Sequence, residues 1–157
     1  MHEKVARALA ATNTPFQAWR HDAFAVRIAG PADFAAALGY SVERVTKSLF
    51  LSDSGRPEQY AVVVLPITKS LDMVAVATQL GWTRARVASR EALTAHLGYP
   101  PFGVSPLGVQ NIPVLMDTSL LKHPTVLVGG GEAGVEIEIA PLLLREVTSA
   151  IALDLAA

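Results

Sequence analysis

Segments of helical and of strand periodicity follow one another along this chain without a regular rhythm, and that order excludes more folds than any other feature. Val5, Ala8, Leu9 and Thr12 keep helical spacing, and Asn13 with Pro15 ends the run. Residues 16–20 have strand character; Gly30-Pro31 then opens a helix, PADFAAAL, with Pro in its first turn and Gly39 just past its end. Residues 41–46 add one further turn. Two apolar runs, 48–52 and 59–65, flank the turn-rich DSGRPE and predict a hairpin. Residues 71–80, closed by Gly81, form an amphipathic helix, and Ser89 caps another that runs to Leu97 and stops on Gly98. After the Gly- and Pro-rich stretch 98–108 come strand-like runs at 113–116, 125–128 and 135–139, before Pro141 starts a last helix. A doubly wound sheet needs strand and helix in steady alternation, which this order lacks. The fold class expected is α/β in the mixed, α+β sense: a mixed β-sheet or partly open barrel surrounded by helices.

A chain of 157 residues suffices for one domain, 1–157, with a substantial core, and its apolar fraction of 51% against 17% charged fits a chain that folds alone. The longest apolar stretches, such as 60–67, fall far short of the roughly 20 residues that cross a bilayer, so no membrane partner is expected. The N-terminal MHEKVARALAATN lacks the apolar core of a secretory signal. Cysteine is absent, which rules out disulfides, thiolate metal sites and a cysteine nucleophile, and fits a reducing cytoplasm. The net charge of −1 argues against a basic surface that grips DNA or RNA through many phosphates. Any RNA contact must be local, or shared with a partner protein.

Several familiar motifs fail on their context. Gly129, Gly131 and Gly134 satisfy G-x-G-x-x-G, but the strand pattern VEIEIA follows where a dinucleotide site needs a helix, so these glycines read as hairpin residues with positive φ. Ser105 in GVSPL lacks the glycine and the helix of a nucleophile elbow. His2, His21, His96 and His123 share no metal-ligand spacing, so no metal or other cofactor is expected. His21 beside Asp22 reads as a surface pair, and Glu136 with Glu138, two residues apart on one strand, as a solvated face.

What remains is a constellation. VTKSLFL around Lys47, then QYAVVVLP, LDMVAVATQLG, GYPPFGVSPLG and GGGEAGVEIEIAPLLL together resemble, in order and spacing, the YbaK/prolyl-tRNA editing family over nearly the whole chain. The resemblance implies a metal-free aminoacyl-tRNA deacylase with a pocket between the lysine-bearing strand and the Gly-Ser-Pro loop. Within the family the chain is similar to stand-alone bacterial enzymes that hydrolyse Cys-tRNA(Pro). Its partners would be the 3′ end of an aminoacyl-tRNA and, for tRNA selection, prolyl-tRNA synthetase.

By that resemblance Lys47, Gly103 and Ser105 are the catalytic candidates. Trp19, Ser48, Phe102, Val104, Pro106, Gly108, Gly130 and Glu136 are the substrate-binding ones. The chemistry is consistent: an attacked ester carbonyl becomes an oxyanion, which backbone N–H groups of a Gly-rich loop stabilise, while a lysine ammonium neutralises a phosphate or holds the terminal ribose. In the cysteine-specific members the attacking group is taken to be the substrate's own thiol; for alanine or serine a bound water would attack.

Three positions depart from the family pattern. Phe102 stands where a glycine is frequent and adds an aromatic wall. Trp19 stands where cysteine-specific relatives carry tyrosine and offers only an N–H donor. Ser48 replaces threonine and keeps the hydroxyl. Alternatives left open at this level are a deacylase for Ala-, Ser- or Thr-charged tRNA, a non-catalytic module that binds aminoacyl-adenosine or a protein, and a small-ester hydrolase.

Overall fold

The computed structural model describes residues 1–157. Its elements are α1 (Glu3–Ala11), β1 (Gln17–Arg20), α2 (Pro31–Leu38), β2 (Thr46–Asp53), β3 (Tyr60–Pro66), α3 (Met73–Leu80), β4 (Ala85–Val87), α4 (Arg90–His96), β5 (Val114–Asp117), β6 (Val126–Gly129), β7 (Val135–Ile139), α5 (Pro141–Thr148) and β8 (Ile151–Leu153). No helix is long and apolar enough to cross a membrane.

The strands form two sheets. One is five-stranded, in the order β4-β2-β3-β5-β8, with β2 antiparallel to β3 and β4, and β5 parallel to β3 and β8. The other is three-stranded and antiparallel, β1-β7-β6. A single parallel bridge, Val45 to Leu127, ties the sheets where β2 begins, and the Thr46 hydroxyl donates to the Leu127 carbonyl at 2.8 Å. The expected mixed sheet is present, but the strands do not close into a barrel: they divide into two sheets that share an apolar filling.

Burial explains that arrangement. The YAVVVLP run of β3 is apolar on both faces because both faces are covered. Val62 and Val64 join Phe50, Val114 and Met116 on the side that meets Val126, Val128, Val135, Ile137 and Ile139 of the smaller sheet, with Val5 and Leu9 of α1 closing the layer. Val63 and Leu65 face the other way with Leu51 and Leu115, against Val76 of α3. A third, smaller cluster lies on the far side of the small sheet, where Phe34 and Ala35 of α2 pack on Val45 and Leu127, with Trp19, Phe24 and Tyr40 beside them.

The predicted helices begin and end where their caps require. Asp72 and Ser89 accept the backbone N–H groups of Ala75 and Ala92, and Gly39 and Gly81 take the left-handed conformation just past α2 and α3. The short strands β4 and β8 were not signalled by the sequence; both are edge strands three residues long, supported by pairing rather than by pattern.

The outer face of the small sheet bears directly on function. β1 and β7 pair Trp19 with Glu136 and Gln17 with Glu138. This face is not solvated, as two alternating glutamates suggest, because α2 and the segment leading into it lie across it. Glu136 is 7% exposed.

Candidate functional site

A cleft of about 550 Å³ opens on that covered face. Its floor is Glu136 and Gly129 of the small sheet, one wall is Thr46, Lys47 and Ser48 at the start of β2, and the opposite wall is Ile28 to Pro31 with Phe34. Pro101, Phe102 and Val104 form one lip; His21, Ala133 and Gly134 form the other.

Local chemistry holds each wall in place. The carboxylate of Asp33, in the first turn of α2, accepts the N–H of Ala29 at 2.7 Å and of Gly30 at 3.3 Å, which folds the entering segment over the cleft. The 98–108 loop carries no helix or strand, yet it is pinned: the Tyr99 hydroxyl donates to the Leu107 carbonyl, and Lys4 of α1 donates to Leu97. The 98–108 loop meets the opposite lip and the end of β6 through glycines. A Cβ on Gly103 would fall 2.7 Å from the backbone of Glu132, and one on Gly129 would strike the Val104 carbonyl oxygen. Gly131 and Gly134 have positive φ, as the hairpin reading requires; Gly129 is instead needed for this close approach.

Three polar groups in the cleft lack partners. Lys47 enters none of the chain's ion pairs. Ser48 Oγ and Glu136 Oε2 are buried with no hydrogen bond. Most buried polar atoms in proteins are paired, so two orphans in one cleft single it out as the candidate site. Burial pushes the Glu136 carboxyl up to about 8, so it holds its proton at neutral pH.

Its neighbour behaves oppositely. Burial alone would raise Glu138, but hydrogen bonds from Thr125 (2.6 Å), Trp19 (2.9 Å) and Tyr40 (2.9 Å), together with the Arg44 charge at 3.6 Å, outweigh it and hold the group below the usual carboxylate range. The two glutamates of one strand face are thus one neutral acid and one fixed anion.

The sequence-derived site residues divide on this geometry. Lys47, Ser48, Phe102, Val104 and Glu136 converge on the cleft. Gly103 lies just behind the lip and its N–H is taken by the Pro100 carbonyl at 3.0 Å. Ser105 is fully buried, its hydroxyl accepting the Leu107 N–H at 3.1 Å, and Pro106 is buried beside it. Gly108 packs on Tyr99 and the Lys4 carbonyl, and Gly130 on Val135. Trp19 borders Glu136 across the strand pair, but its indole N–H is committed to Glu138.

The backbone N–H groups that remain free at the lips belong to Phe102, Val104, Ala133 and Gly134. His21 lines the cleft rather than pairing with Asp22, whose carboxylate sits 3.4 Å from Arg20. The Ile28 to Pro31 wall was visible in sequence only as the start of a helix. Nothing in its residue types announces a site.

Comparison with known proteins agrees with this picture. The family model of the aminoacyl-tRNA editing domain matches residues 26–147, a span that includes every cleft residue except His21. A candidate Cys-tRNA(Pro)/Cys-tRNA(Cys) deacylase, EbsC of Enterococcus faecalis, is 27% identical over 116 residues, covering 73% of this chain and 70% of that protein. Proline–tRNA ligase of Stenotrophomonas maltophilia is 28% identical over 107 residues, 67% of this chain but 19% of the ligase. Among solved structures, the hypothetical protein APE2540 superposes with a TM-score of 0.84 at 28% identity, over 99% of this chain and 100% of that one. A candidate trans-editing enzyme for prolyl-tRNA synthetase superposes at 0.82 with 22% identity, over 100% and 99%, and shares the fold.

Proposed function

The chain belongs to the aminoacyl-tRNA editing domain family, and from that membership we propose that it is a trans-acting deacylase that hydrolyses mischarged tRNA(Pro), with Cys-tRNA(Pro) as its substrate. The observation that carries the reading is the group of unpartnered polar atoms in one cleft: the Lys47 ammonium, Ser48 Oγ and Glu136 Oε2. A small polar aminoacyl ester attached to an anionic strand presents matching groups. The Enterococcus faecalis relative, a candidate Cys-tRNA(Pro)/Cys-tRNA(Cys) deacylase, supports the choice of amino acid.

In this mechanism Lys47 binds the phosphate or ribose of the terminal nucleotide as a compact positive charge. The ester carbonyl lies near the lips, where the free N–H groups of Val104, Ala133 and Gly134 meet the developing oxyanion; each such donor contributes roughly 3 kcal/mol to the transition state when well placed. The substrate's thiol gives up its proton and attacks the carbonyl carbon, forming a C–S bond; the bond to the ribose oxygen breaks, that oxygen takes up the proton, and water then opens the released cysteine thiolactone to free cysteine. Glu136, neutral in the empty cleft, hydrogen-bonds the aminoacyl group through its proton, and Ser48 Oγ is satisfied by the same group. The editing domain acts in the cytoplasm, with prolyl-tRNA synthetase assisting tRNA selection.

Release of labelled amino acid from Cys-, Ala-, Ser- and Pro-tRNA(Pro) tests this directly. Rapid loss of cysteine with Pro-tRNA(Pro) spared is the expected result. Loss of alanine or serine instead would replace the thiol by a water nucleophile, and no acceleration of any ester, with the synthetase added, would refute the reading.

A further inference from the structure

Phe102 is 85% exposed, more than any other large hydrophobic side chain of the chain, and it alone among those exposed side chains lines the cleft. Its position is built. Pro100 and Pro101 fix two φ angles before it, the Gly103 N–H closes the turn on the Pro100 carbonyl at 3.0 Å, and Gly103 is seated against the backbone of Glu132. The ring is therefore presented to solvent from a fixed turn. In the same cleft stands Lys47 without an ion pair, and His21 on the facing lip. An aliphatic ligand would use the ring and waste the cation; an inorganic anion would do the reverse. A nucleotide uses both, because its base stacks on an aromatic face while its phosphate and ribose meet a positive charge.

We propose that Phe102 is the stacking platform for the terminal purine base of the acceptor strand, holding that base at the lip while Lys47 holds the ribose-phosphate and the ester enters the cleft. This rests on the deacylase reading and adds to it the element that recognises the base.

The test compares wild type, Phe102→Ala and Phe102→Trp in deacylation of a Cys-charged acceptor minihelix, and of the same minihelix whose 3′ nucleotide lacks its base, together with direct titration of adenosine 5′-monophosphate. For Phe102→Ala, KM for the complete minihelix should rise roughly 5- to 150-fold, the range expected for one lost base–aromatic stack, with kcat little changed. Phe102→Trp should restore KM, the base-less minihelix should not distinguish the three proteins, and adenosine 5′-monophosphate binding should weaken in parallel. Unchanged KM in Phe102→Ala, or an equal loss on the base-less substrate, would overturn the stacking role while leaving the deacylase reading intact. Phe102-dependent nucleotide binding by a protein that hydrolyses no ester would do the opposite, and neither binding nor hydrolysis would end both.

Discussion

Glu136 concentrates the chemistry of the cleft in one proton. Its folded-state pKa of about 8 lies above the ordinary glutamate value of 4.5, so the folded chain retains a proton that the unfolded chain releases between those limits. The sign follows from linkage: the contribution to stability is fully present below pH 4.5 and is lost as pH rises through about 8. At about 1.4 kcal/mol per pKa unit the full swing is on the order of 5 kcal/mol. Glu136→Gln should remove this slope and make the protein more stable than wild type at pH 9, as denaturant titrations across that range would show. A wild-type stability flat over the window would contradict the assignment. Glu138 has the reverse sign: held below its ordinary value by burial overcome by the hydrogen bonds of Thr125, Trp19 and Tyr40, it stabilises the fold at neutral pH and loses that contribution in acid.

The cleft exists because the 98–108 loop can approach the end of β6 until only glycine fits between them. Gly129→Ala would set a methyl group against the Val104 carbonyl, backbone against which no side chain can swing away. Overpacking of this kind costs about 1–3 kcal/mol, which in a chain of this size lowers Tm by roughly 3–10 °C. It should also reduce deacylation by displacing the Val104 N–H; thermal unfolding and turnover measured together would check both.

The elements themselves were largely legible in the sequence because their punctuation is local. Gly30-Pro31, Gly39, Gly81 and Ser89 mark ends that the structure respects. The strands β4 and β8 were not, since a three-residue edge strand has too little periodicity to stand out and forms only when a partner is already placed. The face of β7 is illegible in the sequence for a related reason. Alternating glutamates look solvated until a separate helix, α2, is laid across them, and nothing within VEIEI reports that helix. Likewise Ser105 has the residue type of a site but is buried in a turn, whereas Ile28 to Pro31 have no such type and form a wall.

For the whole molecule, a net charge of −1 and a single cleft cation leave little to hold a polyanion by charge alone. Binding of deacylated tRNA by the isolated protein should be weak. Its dependence on salt should have a log–log slope of about −0.7 to −1.4, corresponding to one or two neutralised phosphates on a single strand. A slope several times steeper would place phosphate contacts on a basic surface outside the cleft, and would remove the need for a synthetase to select the tRNA.

If the cleft around Lys47 performs ester hydrolysis on a mischarged tRNA, the single-turnover rate of cysteine release from Cys-tRNA(Pro) must depend on Lys47. That rate is measured for wild type and Lys47→Ala, with folding of both verified by circular dichroism. We expect rapid release by wild type and a loss of at least about tenfold in the variant, the equivalent of some 1.4 kcal/mol of transition-state binding, in a protein that remains folded. Equal rates for the two would show that the chemistry lies elsewhere.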